Sequence, residues 1–391
     1  SAHWIVEEDY HACRHVLHYA LPQPGRMDEL LQLVSRIHER QLDRHRPLWE
    51  AHIIEGLPKS RFAMYWKAHH ALMDGAGALA LSKGLLSTDP ETPIDLGKAA
   101  AVVHRESQRR STLEALTAAG KGVLEKSRAI PEVTGLLAQM GMAALRGTDD
   151  TMKLPFTGPR TLFNTEIDSS RTVITCDLPF SRIRRIARET DSSINDVLLS
   201  ICGGALRTYL REQQALPRRS LVAGLPVAVK LEEPHEGNQL SLILCPFFTN
   251  EGDALRRLRK IRRVTRSAKK QLAAISPTAA QGYSNLVLLP TMILTVTGNA
   301  TKVTPAINAV FSNVPGSREK LYLEGAEVES LYPLSVITSG MGINLTVVSY
   351  ATKLCFAITS CPREQPGIER LGKYLKDSYR DLAAARVQES L

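Results

Sequence analysis

The sequence predicts a two-domain α/β protein in which mixed β-sheets are flanked by helices. Its 391 residues are too many for one compact core and suit two domains of roughly 150 to 200 residues each. Hydrophobic residues make up 43% and charged residues 23%, ordinary values that leave ample apolar surface to bury and exclude a disordered chain. Along the chain, β-branched and aromatic runs alternate with segments of helical period, the pattern of a mixed sheet covered by helices.

In order, Met27 to Arg40 repeats leucine at helical spacing, while Ala51–Ile54 and Arg61–Ala68 read as strands. Residues 1–95 form the first expected domain and hold nine of the eleven histidines. Residues 96–160, rich in Ala, Lys, Arg and Ser and interrupted by Pro131, read as a helical linker. Residues 161–391 form the second expected domain. It opens with a strand at Thr172–Cys176, a helix near 180–190 and a longer helix from Ile194 to Leu210. Further strands are expected at Ser220–Pro226, Gln239–Phe248, Ala309–Val314, Ile343–Tyr350 and Lys353–Thr359.

Lys and Arg total 49 against 40 Asp and Glu, and the formal charge of +9 favours anionic partners: nucleic acid, lipid headgroups or a phosphorylated small molecule. Nucleic acid is not expected, because aromatics are only 5% and no stretch interleaves them with Lys or Arg as stacking platforms. The basic helix Leu255–Lys270 sets Leu255, Leu258, Ile261 and Val264 at i+3, with Arg and Lys covering the remainder. It suits a lipid surface, the phosphates of a nucleotide, or an ordinary solvated face. The six cysteines never form C-x-x-C and mostly sit beside apolar residues, as small core hydrophobes do in a reducing compartment. The longest apolar run, Leu286 to Val296, is too short for a bilayer that needs roughly 20 residues. A buried core segment is the expectation there, with an apolar channel or a lipid contact as alternatives.

The densest chemistry lies at His69-His70-Ala71-Leu72-Met73-Asp74-Gly75. Neighbouring side chains on an extended stretch point to opposite faces, so only one of His69 and His70 can enter a given cleft. Imidazole is the side chain suited to removing a proton near neutral pH. Gly75 permits a sharp turn or the close approach of a ligand, and Asp74 could hold the loop through a cation. Two ordinary strand-end histidines would need no chemistry at all. A metal site would need further ligands, and the sequence offers no cluster to complete one.

This heptapeptide matches the H-H-x-x-x-D-G signature of CoA-dependent acyltransferases related to chloramphenicol acetyltransferase, plant alcohol acyltransferases and peptide-synthetase condensation domains. Four more segments resemble the bacterial wax ester synthase/diacylglycerol acyltransferase family: Arg46-Pro47-Leu48-Trp49-Glu50 with Ile54-Glu55-Gly56-Leu57; Asn195-Asp196-Val197; Ser312-Asn313-Val314-Pro315-Gly316; and Asn344-Leu345-Thr346-Val347-Val348-Ser349-Tyr350. Two departures stand out. Family members carry residues before the segment matching Trp4–Tyr10, so the beginning of the first domain is expected to be missing. Gly316-Ser317 stands where the family often has Gly-Pro.

The resemblance implies two chloramphenicol-acetyltransferase-like domains, each a mixed sheet flanked by helices, with the active-site tunnel between them. It implies an O-acyltransferase that takes a long-chain acyl group from acyl-CoA, a co-substrate with no bound cofactor and no metal. The acceptor is a fatty alcohol or diacylglycerol. His70 would be the general base, His69 and Asp74 would complete the motif, and Asn195 would donate to the oxyanion. Gly75, Asp196, Ser312, Asn313 and Thr346 are the expected substrate contacts, with Thr346 and Ser312 as reserve donors. Asn195 and Asp196 could equally do no more than cap a helix. The implied setting is cytoplasmic, peripheral to the inner membrane or to lipid inclusions. The alternatives are a condensation-type enzyme using a carrier-bound donor and a non-catalytic lipid-surface protein of the same fold.

Overall fold

The computed structural model describes residues 10–69, 77, 81, 82, 84–95, 112–148, 151–228 and 240–389. Two compact units divide the chain: Ser1–Thr112 with Asp168–Val173 and Lys320–Val328, and Leu113–Ile167 with Ile174–Glu319 and Glu329–Leu391.

The first unit contains β1 (Val16–Ala20), α1 (Met27–Glu39), β2 (Trp49–Leu57) and β3 (Arg61–Ala68). β1 pairs with β2 in parallel and β2 with β3 antiparallel, giving the expected mixed sheet. The carboxylate of Glu29 accepts from the Arg26 backbone N–H at 2.6 Å and closes the first turn of α1. Leu30, Val34 and Ile37 form its buried stripe. The turn into α1 needs glycine at Gly25, where φ is +69° and a Cβ would lie 1.8 Å from the Gly56 carbonyl oxygen. Two remote segments complete this unit. Ser35 Oγ and Glu39 Oε1 accept from the backbone N–H groups of Val173 and Arg171, at 3.0 and 3.1 Å. The hairpin Tyr322–Leu323/Ala326–Glu327 exchanges backbone bonds with Ser87.

The second unit begins with the long helix α2 (Thr112–Leu145), followed by β4 (Thr172–Pro179), α3 (Phe180–Glu189) and α4 (Ile194–Glu212). Next come β5 (Val222–Ala228), β6 (Leu240–Pro246), α5 (Ala254–Ala273) and α6 (Pro277–Val296). β7 (Ala309–Val314), β8 (Tyr322–Leu323), β9 (Ala326–Glu327), β10 (Ile343–Tyr350), β11 (Lys353–Ser360) and α7 (Leu371–Glu389) close the chain, with β8 and β9 being the hairpin of the first unit. The sheet order is β4-β11-β10-β7-β5-β6, with parallel pairs at β10/β7 and β5/β7 and antiparallel pairs at β10/β11 and β5/β6.

α4 is the central helix, packed by α3, α5 and α7. It comes close to its neighbours because Gly203 and Gly204 lack side chains. A Cβ at either would lie 2.2 Å from the Phe247 carbonyl oxygen or the Ser378 hydroxyl, respectively. One sheet face, including Phe311, Leu345, Val347, Phe356 and Ile358, joins the helices in the main core.

Three expectations change. Leu286–Val296 is not a buried core segment: it is the second half of α6, with Leu286, Leu288, Leu289, Met292, Ile293 and Val296 exposed. Its helical period runs through Pro290, so the apolar residues fall on both sides of the helix, and only one side is packed. Cys13 is exposed, whereas the other five cysteines are buried thiols. The basic helix α5 keeps its expected apolar stripe buried, but its cations are largely engaged within the protein. Arg257 is itself buried and donates to the carbonyls of Ser200 and Glu251, both at 3.0 Å, and burial lowers its pKa to about 10. Lys260 pairs with Glu251 at 2.9 Å, and Arg262 and Arg266 pair with Asp191 at 3.5 and 2.8 Å.

Candidate functional site

β3 ends at Ala68, immediately before the paired histidines, where its run of aromatic residues Phe62, Tyr65 and Trp66 closes. His69 follows it with an exposed side chain, and its backbone N–H donates to the Leu48 carbonyl at 2.9 Å. The stretch Arg46-Pro47-Leu48-Trp49-Glu50 is thereby tied to the start of the motif, since Trp49 and Ala68 are also register partners of β2 and β3. His70, Asp74 and Gly75 lie outside the described residues.

The other end of the candidate set is built on the first turn of α4. Ser193 caps the helix: its Oγ accepts from the Asp196 N–H at 3.2 Å, and Asp196 Oδ2 accepts from the Ser193 N–H at 2.8 Å. Asp196 is buried, and its other oxygen, Oδ1, accepts from the Thr265 hydroxyl at 2.7 Å. Both carboxylate oxygens therefore have protein partners within the second unit. Asn195, one residue earlier on the helix, is exposed, and its Oδ1 accepts from Asn313 Nδ2. That contact occupies the acceptor end of the Asn195 amide and leaves its two N–H donors for another group.

Asn195 and Asn313 line a small cleft in the second unit, whose wall also includes Asp196, Leu199, Leu225, Phe311 and Lys269. An amide donor, a helix N-terminus and an apolar wall suit a neutral or developing negative oxygen on a long apolar body.

Ser312 and Thr346 do not join this group. They are register partners on β7 and β10, and Asn313, the next residue on β7, faces the opposite side of the sheet. Thr346 is buried there, its hydroxyl donating to Asn344 Oδ1 at 2.8 Å and lying 3.2 Å from Ser335 Oγ. Thr359, the register partner of Asn344, buries a hydroxyl that has no partner among the described residues. The expected contacts of this unit thus divide between two faces of one sheet: Asn195, Asp196 and Asn313 on the helix side, Ser312 and Thr346 on the other.

A polar network in the first unit was not anticipated. His52 is buried on β2, 3.2 Å from Glu50 Oε2, with Tyr19 and Tyr65 rings beside it. Burial holds its pKa below the usual imidazole value, against the raising effect of Glu50. Tyr65 bonds to His38 at 2.7 Å, and Lys67 Nζ donates to the carbonyls of Ile37 and Arg40, so these groups join the sheet to α1. The alternation of β2 and β3 put these side chains on the inner face, which a count of histidines alone does not reveal. Among the described residues, no three His, Cys, Asp or Glu side chains are grouped to hold a metal.

Comparison with known proteins adds the family. Residues 1–198 match the wax ester synthase/diacylglycerol acyltransferase catalytic domain, and residues 236–383 match the WS/DGAT C-terminal domain. A Mycobacterium tuberculosis protein assigned diacylglycerol O-acyltransferase activity by name is 36% identical over 385 residues, 98% of this chain and 84% of that protein. The O-acyltransferase WSD of Acinetobacter baylyi is 33% identical over 381 residues, 96% of this chain and 81% of its own. Among solved structures, the wax ester synthase/diacylglycerol acyltransferase of Marinobacter aquaeolei VT8 superposes with a TM-score of 0.76 at 31% identity, covering 98% of this chain and 83% of that one. With both family models matched in order and these relatives aligned along nearly the whole chain, the protein belongs to the wax ester synthase/diacylglycerol acyltransferase family.

Proposed function

We propose that this enzyme transfers a long-chain acyl group from acyl-CoA to the hydroxyl of a fatty alcohol or a diacylglycerol, with His70 as general base. The observation that carries the reading is the H-H-x-x-x-D-G sequence emerging from the end of β3 in a chain of this family. In the proposed step, His70 takes the hydroxyl proton as the alcohol oxygen attacks the thioester carbonyl. The carbon–oxygen bond forms, the carbonyl oxygen takes up negative charge, and the carbon–sulfur bond then breaks. The proton passes from His70 to the departing thiolate, so the products are an ester and free CoA thiol, with no acyl-enzyme between. Asn195 supplies the amide donor for the oxyanion, next to the positive end of α4. Asp74 and Gly75 complete the motif, and His69 follows the strand end.

Both substrates are lipids, so the proposed setting is the cytoplasmic face of a membrane or the surface of a lipid inclusion, reached without spanning it. No helix among the described residues is long and apolar enough to cross a membrane.

The test is to mix the protein with palmitoyl-CoA, add hexadecanol or dioleoylglycerol, and follow free thiol. The expected result is thiol release that depends on the alcohol, with a matching amount of ester. Release only from an acyl group bound to a carrier protein would transfer the assignment to condensation-type chemistry. No release from either donor would end it.

A further inference from the structure

From Gln271 to Thr301 the sequence contains no Asp, Glu, Lys, Arg or His, and α6 occupies most of that stretch. Its two sides are different. Ala279, Ala280, Tyr283, Ser284 and Val287 are buried. At about 100° per residue they cover an arc of roughly 140°. Leu286, Leu288, Leu289, Met292, Ile293 and Val296 are all exposed, Met292 at 63% and Val296 at 87%. The same spacing puts these six on the complementary arc of about 160°, one continuous apolar surface about 15 Å long. Contiguous exposed apolar surface of this kind marks an interaction site, unlike single surface leucines.

Two features identify the occupant. The first is that the stripe offers nothing to hydrogen-bond. The hydroxyls of Thr291, Thr295 and Thr297 donate to the carbonyls four residues earlier, at 2.8, 2.9 and 2.8 Å, so they need neither water nor a partner. A protein interface of ordinary composition carries about one hydrogen bond per 100–200 Å², whereas hydrocarbon requires that polar groups be satisfied from within the helix. The second is charge. Six residues beyond the last member of the stripe stands exposed Lys302, whose ammonium donates to Asn299 Oδ1 at 2.9 Å and whose carbonyl accepts from the guanidinium of exposed Arg160. Two cations at the end of an uncharged helix match a surface with anionic headgroups. The polar side chains of the exposed arc, Gln281 and Asn285, lie in its first half and bond to each other at 3.1 Å.

We propose that the second half of α6 is the docking face for an anionic phospholipid surface, with Leu289, Met292, Ile293 and Val296 entering the headgroup–acyl boundary and Lys302 and Arg160 meeting the phosphates. The proposal rests on the lipid-surface setting given above and names the element that makes the contact. The helix lies in the surface plane. It does not traverse the bilayer.

The test is flotation of the whole 391-residue chain with phosphatidylcholine vesicles, with and without phosphatidylglycerol. The wild type is expected to float with the anionic vesicles. The triple variant L289Q/M292Q/I293Q is expected to lose roughly tenfold or more in partitioning, because each change withdraws an apolar side chain from hydrocarbon. Arg160→Glu with Lys302→Glu should remove the phosphatidylglycerol dependence. Thiol release from short, water-soluble acyl donors and alcohols should stay at the wild-type level in all variants, which separates docking from chemistry. Three outcomes overturn the proposal: failure of the wild type to float, equal flotation of the triple variant, or a wild-type dimer that the triple variant converts to monomer while neither binds vesicles. The last would assign the stripe to a second copy of the chain. None of these would touch the acyl-transfer reading, which stands or falls on the thiol assay.

Discussion

Replacing His70 with alanine is expected to slow acyl transfer by roughly 10²- to 10⁴-fold, the usual contribution of a positioned general base. The neutral alcohol is a poor nucleophile, and without a base the attack has to release a proton to water from a site that long acyl chains keep dry. Binding of both substrates and polarisation of the thioester carbonyl do not need the imidazole. Activity should therefore fall in kcat with little change in KM. His69→Ala is the internal control. Neighbours on an extended stretch address opposite faces, and alanine retains the backbone bond to Leu48, so the change should cost much less in rate. Thiol release measures the rate, and a thermal melt measures the fold. If His70→Ala turned over at the wild-type rate with an unchanged melt, the base assignment would be wrong.

Much of the scaffold could be read from residue pattern. The strand at Thr172–Cys176 forms where it was expected, and the i+3 stripe of Leu255, Leu258, Ile261 and Val264 ends up buried as its period requires, because a period states which side chains share a face. A period does not state what covers the face. That is why the charge-free run ending at Val296 was expected in the core and instead lies on the outside of α6. Pairings at long separation were equally hidden. Asn195 and Asn313 meet because β7 inserts between β10 and β5, and nothing local to either residue encodes that strand order. The division of Asn313 from Ser312 and Thr346 between two sheet faces was available in principle, since neighbours on a strand alternate, but it needed the β7/β10 register to be read across strands. The inward set of His52, Tyr65 and Lys67 was hidden in the same way: the three share a face with α1 only through the β2/β3 register, which neither strand encodes by itself.

Asn195 and Asp196 are neighbours whose substitutions should have opposite signatures. Asp196→Ala removes the acceptor for the Ser193 N–H and the shorter of two bonds made by the buried Thr265 hydroxyl, which keeps the Arg262 carbonyl at 3.2 Å. The lost cap is worth about 1 kcal/mol and the lost hydrogen bond to the carboxylate about 1.5–3 kcal/mol, together about 2.5–4 kcal/mol. For a unit of this size that corresponds to a fall of roughly 5–12 °C in the melting temperature. Asn195→Ala leaves the capping box intact and puts a good helix former at an exposed position of the first turn, so its melt should match the wild type. If the amide does donate to the oxyanion, the same substitution should lower kcat by roughly 10²- to 10³-fold. The N–H groups at the start of α4 and the apolar wall of the cleft remain in place, so acyl-CoA binding should survive. Paired melts and thiol-release assays decide between the roles. A wild-type kcat in Asn195→Ala would reduce its contact with Asn313 to a tie between α4 and β7. A melt unchanged in Asp196→Ala would show that the first turn of α4 is held by something other than its reciprocal cap.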